Sequence, residues 1–334
     1  MAIRVGINGF GRIGRLVFRA GLDAPELDFV AVNDVGGDAE TLAYLLEFDS
    51  VHGLIDGDVA LAEEGFTVDG QPITVLREHD PAKIPWRDLG VDLVIEASGH
   101  FTKREDAEAH LRAGAPRVLI TAPAKGADAT FVVGVNDKTY DPDKHHIISS
   151  ASCTTNTLAV VAHVLHDSFG IERGFMSTVH AYTNSQALLD APGGKLRRSR
   201  AAALNLVPTS TGAAQTIGEV IPALRGRLHS TAIRCPVPSG SLIDLTVELA
   251  EEVTMDTVNA AFREASDSET LQDVLLVSDD ALVSTDIVGT SFSAIIDAEI
   301  TMADGHLAKV LAWYDNEWGY SCRVVDLAAM IAGR

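Results

Sequence analysis

The sequence predicts an α/β protein of two domains, a doubly wound parallel-sheet domain joined to an α+β domain with a mainly antiparallel sheet. Three observations lead there. Short apolar runs alternate with amphipathic helical stretches through the first 150 residues, the texture beyond changes to longer runs of alternating polarity, and 334 residues exceed what one core commonly holds. The expected boundaries are 1–150, completed by a C-terminal helical segment at 316–334, and 151–315.

The first apolar run, Ile3–Ile7, leads into Arg12–Ala20 at helical spacing. Phe29–Asn33 then precedes Ala39–Glu47, Leu93–Ala97 precedes Arg104–Ala113, and Val118–Thr121 closes the series. Strands alternating with helices require right-handed crossovers, and so a parallel sheet covered on both faces. A hairpin-like segment, Val59 to Leu76 with Asp69-Gly70 as its turn, is expected to interrupt this domain. In the second domain Phe175–Val179, Thr231–Pro236, Ser241–Leu249, Ser293–Ile296 and Lys309–Tyr314 read as strands, with helices such as Met255–Ser266 on one side. The last helix is expected over Ser321–Ala332.

Composition narrows the function classes. A formal charge of −21 works against general binding to nucleic acid or anionic lipid. Seven lysines stand beside nineteen arginines, a bias compatible with a GC-rich genome or with adaptation to salt. Gly, Asp, Arg or His breaks every apolar run well short of a membrane span, and no charged leader precedes the first strand, so a cytoplasmic protein is expected. Cys153, Cys235 and Cys322 are odd in number and widely spaced, without histidines at zinc-ligand spacing, so neither a disulfide framework nor a metal site is indicated.

A strand running into Gly9-Phe10-Gly11-Arg12-Ile13-Gly14 and then into a helix is the pattern of a Rossmann dinucleotide site. Glycines tighten the turn and admit a pyrophosphate to the helix N-terminus. Asp34 follows at the end of the next strand, placed to accept hydrogen bonds from a ribose diol and to repel a 2′-phosphate, which favours NAD over NADP. Its competing reading is a helix N-cap.

Cys153 lies where the run His146–Ser149 gives way to Leu158, Val161, Ala162 and Leu165 at helical spacing. At a helix N-terminus the free N–H groups and the helix dipole favour thiolate over thiol. His180, beyond the Phe175–Val179 run, is a candidate base, although a small buried apolar cysteine remains the alternative. The basic run Lys195–Arg200 stands out in so acidic a chain, and the Pro208–Ala214 segment offers hydroxyls and N–H groups. Together they suggest an anion site, against a solvated loop or subunit salt bridges for the first and an ordinary helix cap for the second.

These motifs, with His180–Asn184 and Trp313–Ser321, occur in one order along the chain, which closely resembles the phosphorylating glyceraldehyde-3-phosphate dehydrogenase family over essentially its whole length. The resemblance implies that Cys153 attacks the aldehyde of D-glyceraldehyde 3-phosphate and that His180 takes the proton. It implies that Thr183, Arg198 and Arg234, with Ser152, Thr154, Thr211 and Gly212, hold the substrate phosphate and the attacking inorganic phosphate. For the cofactor it implies Gly9, Gly11, Arg12, Ile13, Gly14 and Asp34 at the pyrophosphate and ribose, Thr121 near the nicotinamide ribose, and Asn316 on the nicotinamide carboxamide. A homotetramer is implied too, the segment from about Ser185 to Arg200 reaching toward a neighbour's cofactor.

Some positions depart from the family pattern. Ser185 replaces an aspartate common there, and Ala191-Pro192 replaces a leucine-proline, which with Gly36 and Gly37 leaves room for some NADP use beside the NAD preference set by Asp34. Cys235 and Cys322 are read as packing residues. The nearest rival reading is erythrose-4-phosphate dehydrogenase, which would release a free acid, and a more distant one is a non-catalytic dinucleotide- or RNA-binding regulator.

Overall fold

The computed structural model describes residues 2–333. The chain falls into two compact units, one of Met1–Phe131, Asp137–Ala151 and Ser321–Arg334, the other of Val132–Asn136 and Ser152–Tyr320.

In the first unit a nine-stranded sheet has the spatial order Ala129–Thr130, Ile147–Ser149, Arg117–Ile120, Leu93–Glu96, Ile3–Asn8, Leu27–Asn33, Gln71–Leu76, Gly65–Val68, Val59–Ala62. Its first seven strands are parallel, and the chain reverses direction of travel across the sheet at Ile3–Asn8, flanked by Leu27–Asn33 and Leu93–Glu96. Such a switch point opens a crevice at the C-terminal strand ends. The expected interruption at 59–76 is corrected: Gln71–Leu76 pairs in parallel with Leu27–Asn33, so the segment extends the same sheet. The apolar alternation of a hairpin is also that of a sheet edge, and sequence alone does not distinguish them. Its turn is as expected, Asp69 and Gly70 at φ 50° and 79°, both left-handed as a type I′ turn requires.

The second unit is built on an eight-stranded sheet ordered Val207–Thr209, Leu228–Cys235, Ile171–Ala181, Ser241–Leu249, Leu307–Tyr314, Ala294–Asp297, Leu275–Ser278, with Met302–Asp304 beside Leu307–Tyr314. Two pairings are parallel and the other five antiparallel. The Ser241–Leu249 strand alternates buried and half-buried residues along its length, the period-two pattern of a strand with one face on the core. The Cys153–Phe169 helix is the unit's buried centre, with Leu158, Ala159, Val160, Val161, Ala162 and Leu165 fully covered. The last helix runs Trp318–Ala332, so Asn316 lies in the turn before it rather than in a helix. No helix of the described residues is long and apolar enough to cross a membrane.

Candidate functional site

The glycine loop is shaped by close backbone contacts. Gly9 has φ +92°, and a Cβ there would lie 2.4 Å from the Ser98 backbone; one at Gly14 would lie 2.1 Å from the Gly9 carbonyl oxygen. Gly11 differs, since a Cβ there meets nothing within 4 Å. It is the N-cap of the Arg12–Ala20 helix and, having no side chain, supplies no cap and leaves the helix start open to close approach by an anion. Arg12 is ion-paired with the nearly buried Asp49, and Ile13 is half-buried in the same first turn.

Asp34 accepts hydrogen bonds from the Phe10 N–H and the Gly36 N–H, both at 2.7 Å. It therefore ties the glycine loop to the next strand end while each oxygen keeps a free lone pair. The N-cap reading fails: the Ala39–Glu47 helix is capped by Asp38, which accepts from the Thr41 N–H at 2.9 Å. A cavity of about 490 Å³ opens here, lined among others by Asn8, Gly9, Gly11, Asp34 and Ser98. Beneath it the buried Glu96 accepts from Asn8 Nδ2 at 2.5 Å, from the Ser98 N–H at 2.8 Å and from His110 Nε2 at 3.0 Å. Thr121, beyond the Arg117–Ile120 strand, donates its hydroxyl to the Glu96 carbonyl at 3.2 Å.

The second unit holds the candidate nucleophile and, separately from the glycine loop, Asn316. Ser152 caps the Cys153–Phe169 helix, accepting from the Thr155 N–H at 3.1 Å, so Cys153 is its first residue, as expected. Cys153 Sγ lies 3.5 Å from His180 Nε2. His180 and Arg234 are register partners on adjacent parallel strands. Arg234 Nη1 thereby comes within 2.8 Å of His180 Nδ1 and donates to the Ala181 carbonyl at 3.0 Å. His180 Nδ1 is also 2.7 Å from that carbonyl, and a proton on Nδ1 donated to it leaves Nε2 as the base facing sulfur.

Burial opposes the expected thiolate. Burial pushes the Cys153 thiol up, and Arg234 and hydrogen bonding from Thr154 pull it back only in part. Burial also pulls His180 down to about 3, helped by Arg234 and then Arg198, with the Ala181 carbonyl and Glu317 opposing. In the protein alone both directions favour the uncharged forms, thiol and imidazole. Tyr314 closes the site: its ring meets His180 edge-on at 6.0 Å, and its buried hydroxyl bonds Thr154 Oγ1 at 2.9 Å and Thr178 Oγ1 at 2.8 Å. Burial raises the phenol, keeping it protonated.

The two anion-binding motifs meet. Arg198 donates to Thr209 Oγ1 at 3.1 Å and to Ser185 Oγ at 3.2 Å, Ser185 bonds Thr183 Oγ1 at 2.9 Å, and Lys195 donates to Ser210 Oγ at 3.0 Å. Thr211 caps the following turn through the Ala213 N–H at 3.3 Å, and Gly212 begins the Ala213–Val220 helix without a side-chain cap. The hydroxyls of Ser152 and Thr154 are already engaged, by Thr155 and by Tyr314. Tyr314, Ser185 and Thr209 join the site although none was named individually as a site residue. Thr209 lay within the Pro208–Ala214 segment, Tyr314 within Trp313–Ser321, and Ser185 stood out as a departure from the family pattern.

Comparison with known proteins agrees with this geometry. Residues 3–104 match the family model described as glyceraldehyde 3-phosphate dehydrogenase, NAD binding domain, and residues 152–316 match the one described as its C-terminal domain. The chain is 54% identical to the glyceraldehyde-3-phosphate dehydrogenase of Geobacillus stearothermophilus over 100% of this chain and 99% of that one. It is likewise 54% identical to that of Streptomyces coelicolor over all of both chains, and to glyceraldehyde-3-phosphate dehydrogenase 1 of Bacillus subtilis over 99% of each. A thiol, an imidazole and a guanidinium in hydrogen-bond reach, in a chain matching both family domains, leave one conclusion: it belongs to the NAD-dependent glyceraldehyde-3-phosphate dehydrogenase family.

Proposed function

We propose that this chain oxidises D-glyceraldehyde 3-phosphate and joins the product to inorganic phosphate, giving 1,3-bisphosphoglycerate through a thioester on Cys153. The 3.5 Å contact of Cys153 Sγ with His180 Nε2, next to Arg234, carries the proposal. Sulfur attacks the aldehyde carbon as its proton passes to Nε2, Nε2 hands that proton to the new alkoxide to give the thiohemiacetal hydroxyl, and the freed nitrogen then takes the hydroxyl proton back while hydride leaves carbon. NAD, when bound, accepts that hydride. A phosphate oxygen then attacks the thioester carbonyl and the Cys153 thiolate leaves, regaining a proton from His180.

Charge timing follows from the site. Burial first, then Arg234 and Arg198, disfavours the charged form of His180 before substrate binds. A phosphate seated between Arg198, Thr183 and Thr209 offsets that field, so the imidazole accepts a proton more readily once the anion is in place. Thr211, whose hydroxyl accepts from the Ala213 N–H, and Gly212, whose lack of a side chain leaves room at the helix start, are the further candidates for the second anion.

The residues fit NAD. The helix start at Gly11, where no side chain obstructs approach, the free lone pairs of Asp34 and the adjoining cavity suit a pyrophosphate and an adenosine ribose. Asp34 repels a 2′-phosphate, so NAD is preferred over NADP, with some NADP use admitted by Gly36 and Gly37. A homotetramer is supported by Leu188, Leu189, Leu196, Leu204 and Leu206, each at least 68% exposed along one segment.

Steady-state formation of reduced cofactor from glyceraldehyde 3-phosphate tests the reading. Turnover should require inorganic phosphate, with kcat/KM higher for NAD than for NADP. Turnover indifferent to phosphate would favour the hydrolytic erythrose-4-phosphate dehydrogenase reaction.

A further inference from the structure

Ser241 opens the Ser241–Leu249 strand, opposite Tyr314 in the antiparallel register, and is buried, as is Asn316 two residues beyond Tyr314. Its hydroxyl accepts from the Ala181 N–H at 3.0 Å, so its single proton is left for Asn316 Oδ1 at 2.7 Å. The turn carrying Asn316 is already fixed by Asp315, which accepts from Ser239 Oγ and from the Gly289, Glu317 and Trp318 N–H groups at 2.7–3.1 Å. What that turn does not fix is which end of the Asn316 amide faces inward, since the oxygen and nitrogen ends are nearly the same shape. Ser239 Oγ, 3.5 Å from Asn316 Oδ1, is already donating to Asp315. Among the described residues no hydrogen bond engages Asn316 Nδ2.

We propose that Ser241 is a positioning residue that sets the orientation of the Asn316 amide, so that Nδ2 is presented as a donor to the carboxamide oxygen of the nicotinamide. This rests on the reading that Asn316 meets that carboxamide. A donor held in one orientation admits the ring in one orientation, and the face that receives hydride is thereby fixed. The Ala181 N–H is what makes the arrangement one-way: a backbone donor on one side of the Ser241 hydroxyl forces its proton to the other side.

The test uses Ser241→Ala, Ser241→Thr and Asn316→Ala in the full-length protein. NAD binding to substrate-free enzyme is read by quenching of tryptophan emission, and stereochemistry by proton NMR of the two diastereomers formed from NAD deuterated at nicotinamide C4. In Ser241→Ala the Kd for NAD should rise roughly fivefold to tenfold and the minor diastereomer about tenfold, with the KM for glyceraldehyde 3-phosphate nearly unchanged. Ser241→Thr, which keeps the hydroxyl, should restore both readouts; should Ser241→Ala not fold, Ser241→Cys, a weaker donor of similar size, should give an intermediate effect. Normal Kd and stereochemistry in Ser241→Ala, where Asn316→Ala loses them, would overturn the inference while leaving the role of Asn316 standing. Unchanged values in Asn316→Ala would overturn that reading and the inference with it. A Ser241→Ala enzyme impaired only in alkylation of Cys153 would assign Ser241 to the His180 strand and also overturn it.

Discussion

Arg234 acts on its two titrating neighbours in opposite senses: it favours the thiolate of Cys153 and disfavours the imidazolium of His180. Replacing it with glutamine, Arg234→Gln, should therefore raise the thiol further and let the imidazole rise as well. Iodoacetamide alkylation of Cys153 at pH 7 should slow roughly threefold to tenfold, with the pH–rate profile moving to higher pH. Faster alkylation would show that the guanidinium does not stabilise the sulfur anion. The position of Cys153 was legible from Leu158, Val161 and Leu165 alone. Its protonation state was not, because the burial that raises the thiol comes from residues distant in sequence, brought to Cys153 only by the fold. Helix-terminus arguments count the field and omit the burial.

The glycine loop shows the same division among elements. Strand, loop and helix were readable from apolar spacing and from Gly9, Gly11 and Gly14. What anchors the loop was not, for Phe10 is buried against Phe18 and Phe66 at centroid distances of 5.8 and 6.0 Å, and Phe66 belongs to the segment expected to interrupt the sheet. Phe10→Ala should cost about 3–5 kcal/mol of stability, read from urea unfolding, and should weaken NAD binding because the Phe10 N–H holds Asp34. Unchanged stability would mean the aromatic cluster is not what seats the loop. The cap reading weighed for Asp34 falls instead to Asp38, which directly precedes the Ala39–Glu47 helix and stands three residues before the Thr41 N–H it accepts.

At the scale of the whole molecule, acidity and burial combine in the pH dependence of stability. His180 is pulled from 6.5 to about 3 by folding, so between those values the unfolded chain binds a proton that the folded chain does not. Stability is lost as pH falls through that window, by an amount on the order of a few kcal/mol. Asp49 and Asp128 also lie below their ordinary value, held by backbone N–H groups and by Arg12 and Arg104 against the cost of burial. Their contribution is present above about pH 4 and is lost as they protonate. Tm should decline on acidification from about pH 6.5, and His180→Asn should flatten the upper part of that decline. An equally steep decline in the variant would assign it to other groups. The two sheets and the return of the C-terminal helix to the first unit were legible in the sequence, whereas the passage of 132–136 into the second unit was not, because a short connecting segment carries no periodicity.

The central claim, a thioester on Cys153 released by phosphate, is tested most directly by mass spectrometry of the enzyme mixed with glyceraldehyde 3-phosphate and NAD in phosphate-free buffer. A single burst of reduced cofactor, near one per chain, is expected, with an acyl adduct on the peptide containing Cys153 that disappears when inorganic phosphate is added. An adduct on another residue, or continued turnover without phosphate and with no adduct, would contradict it.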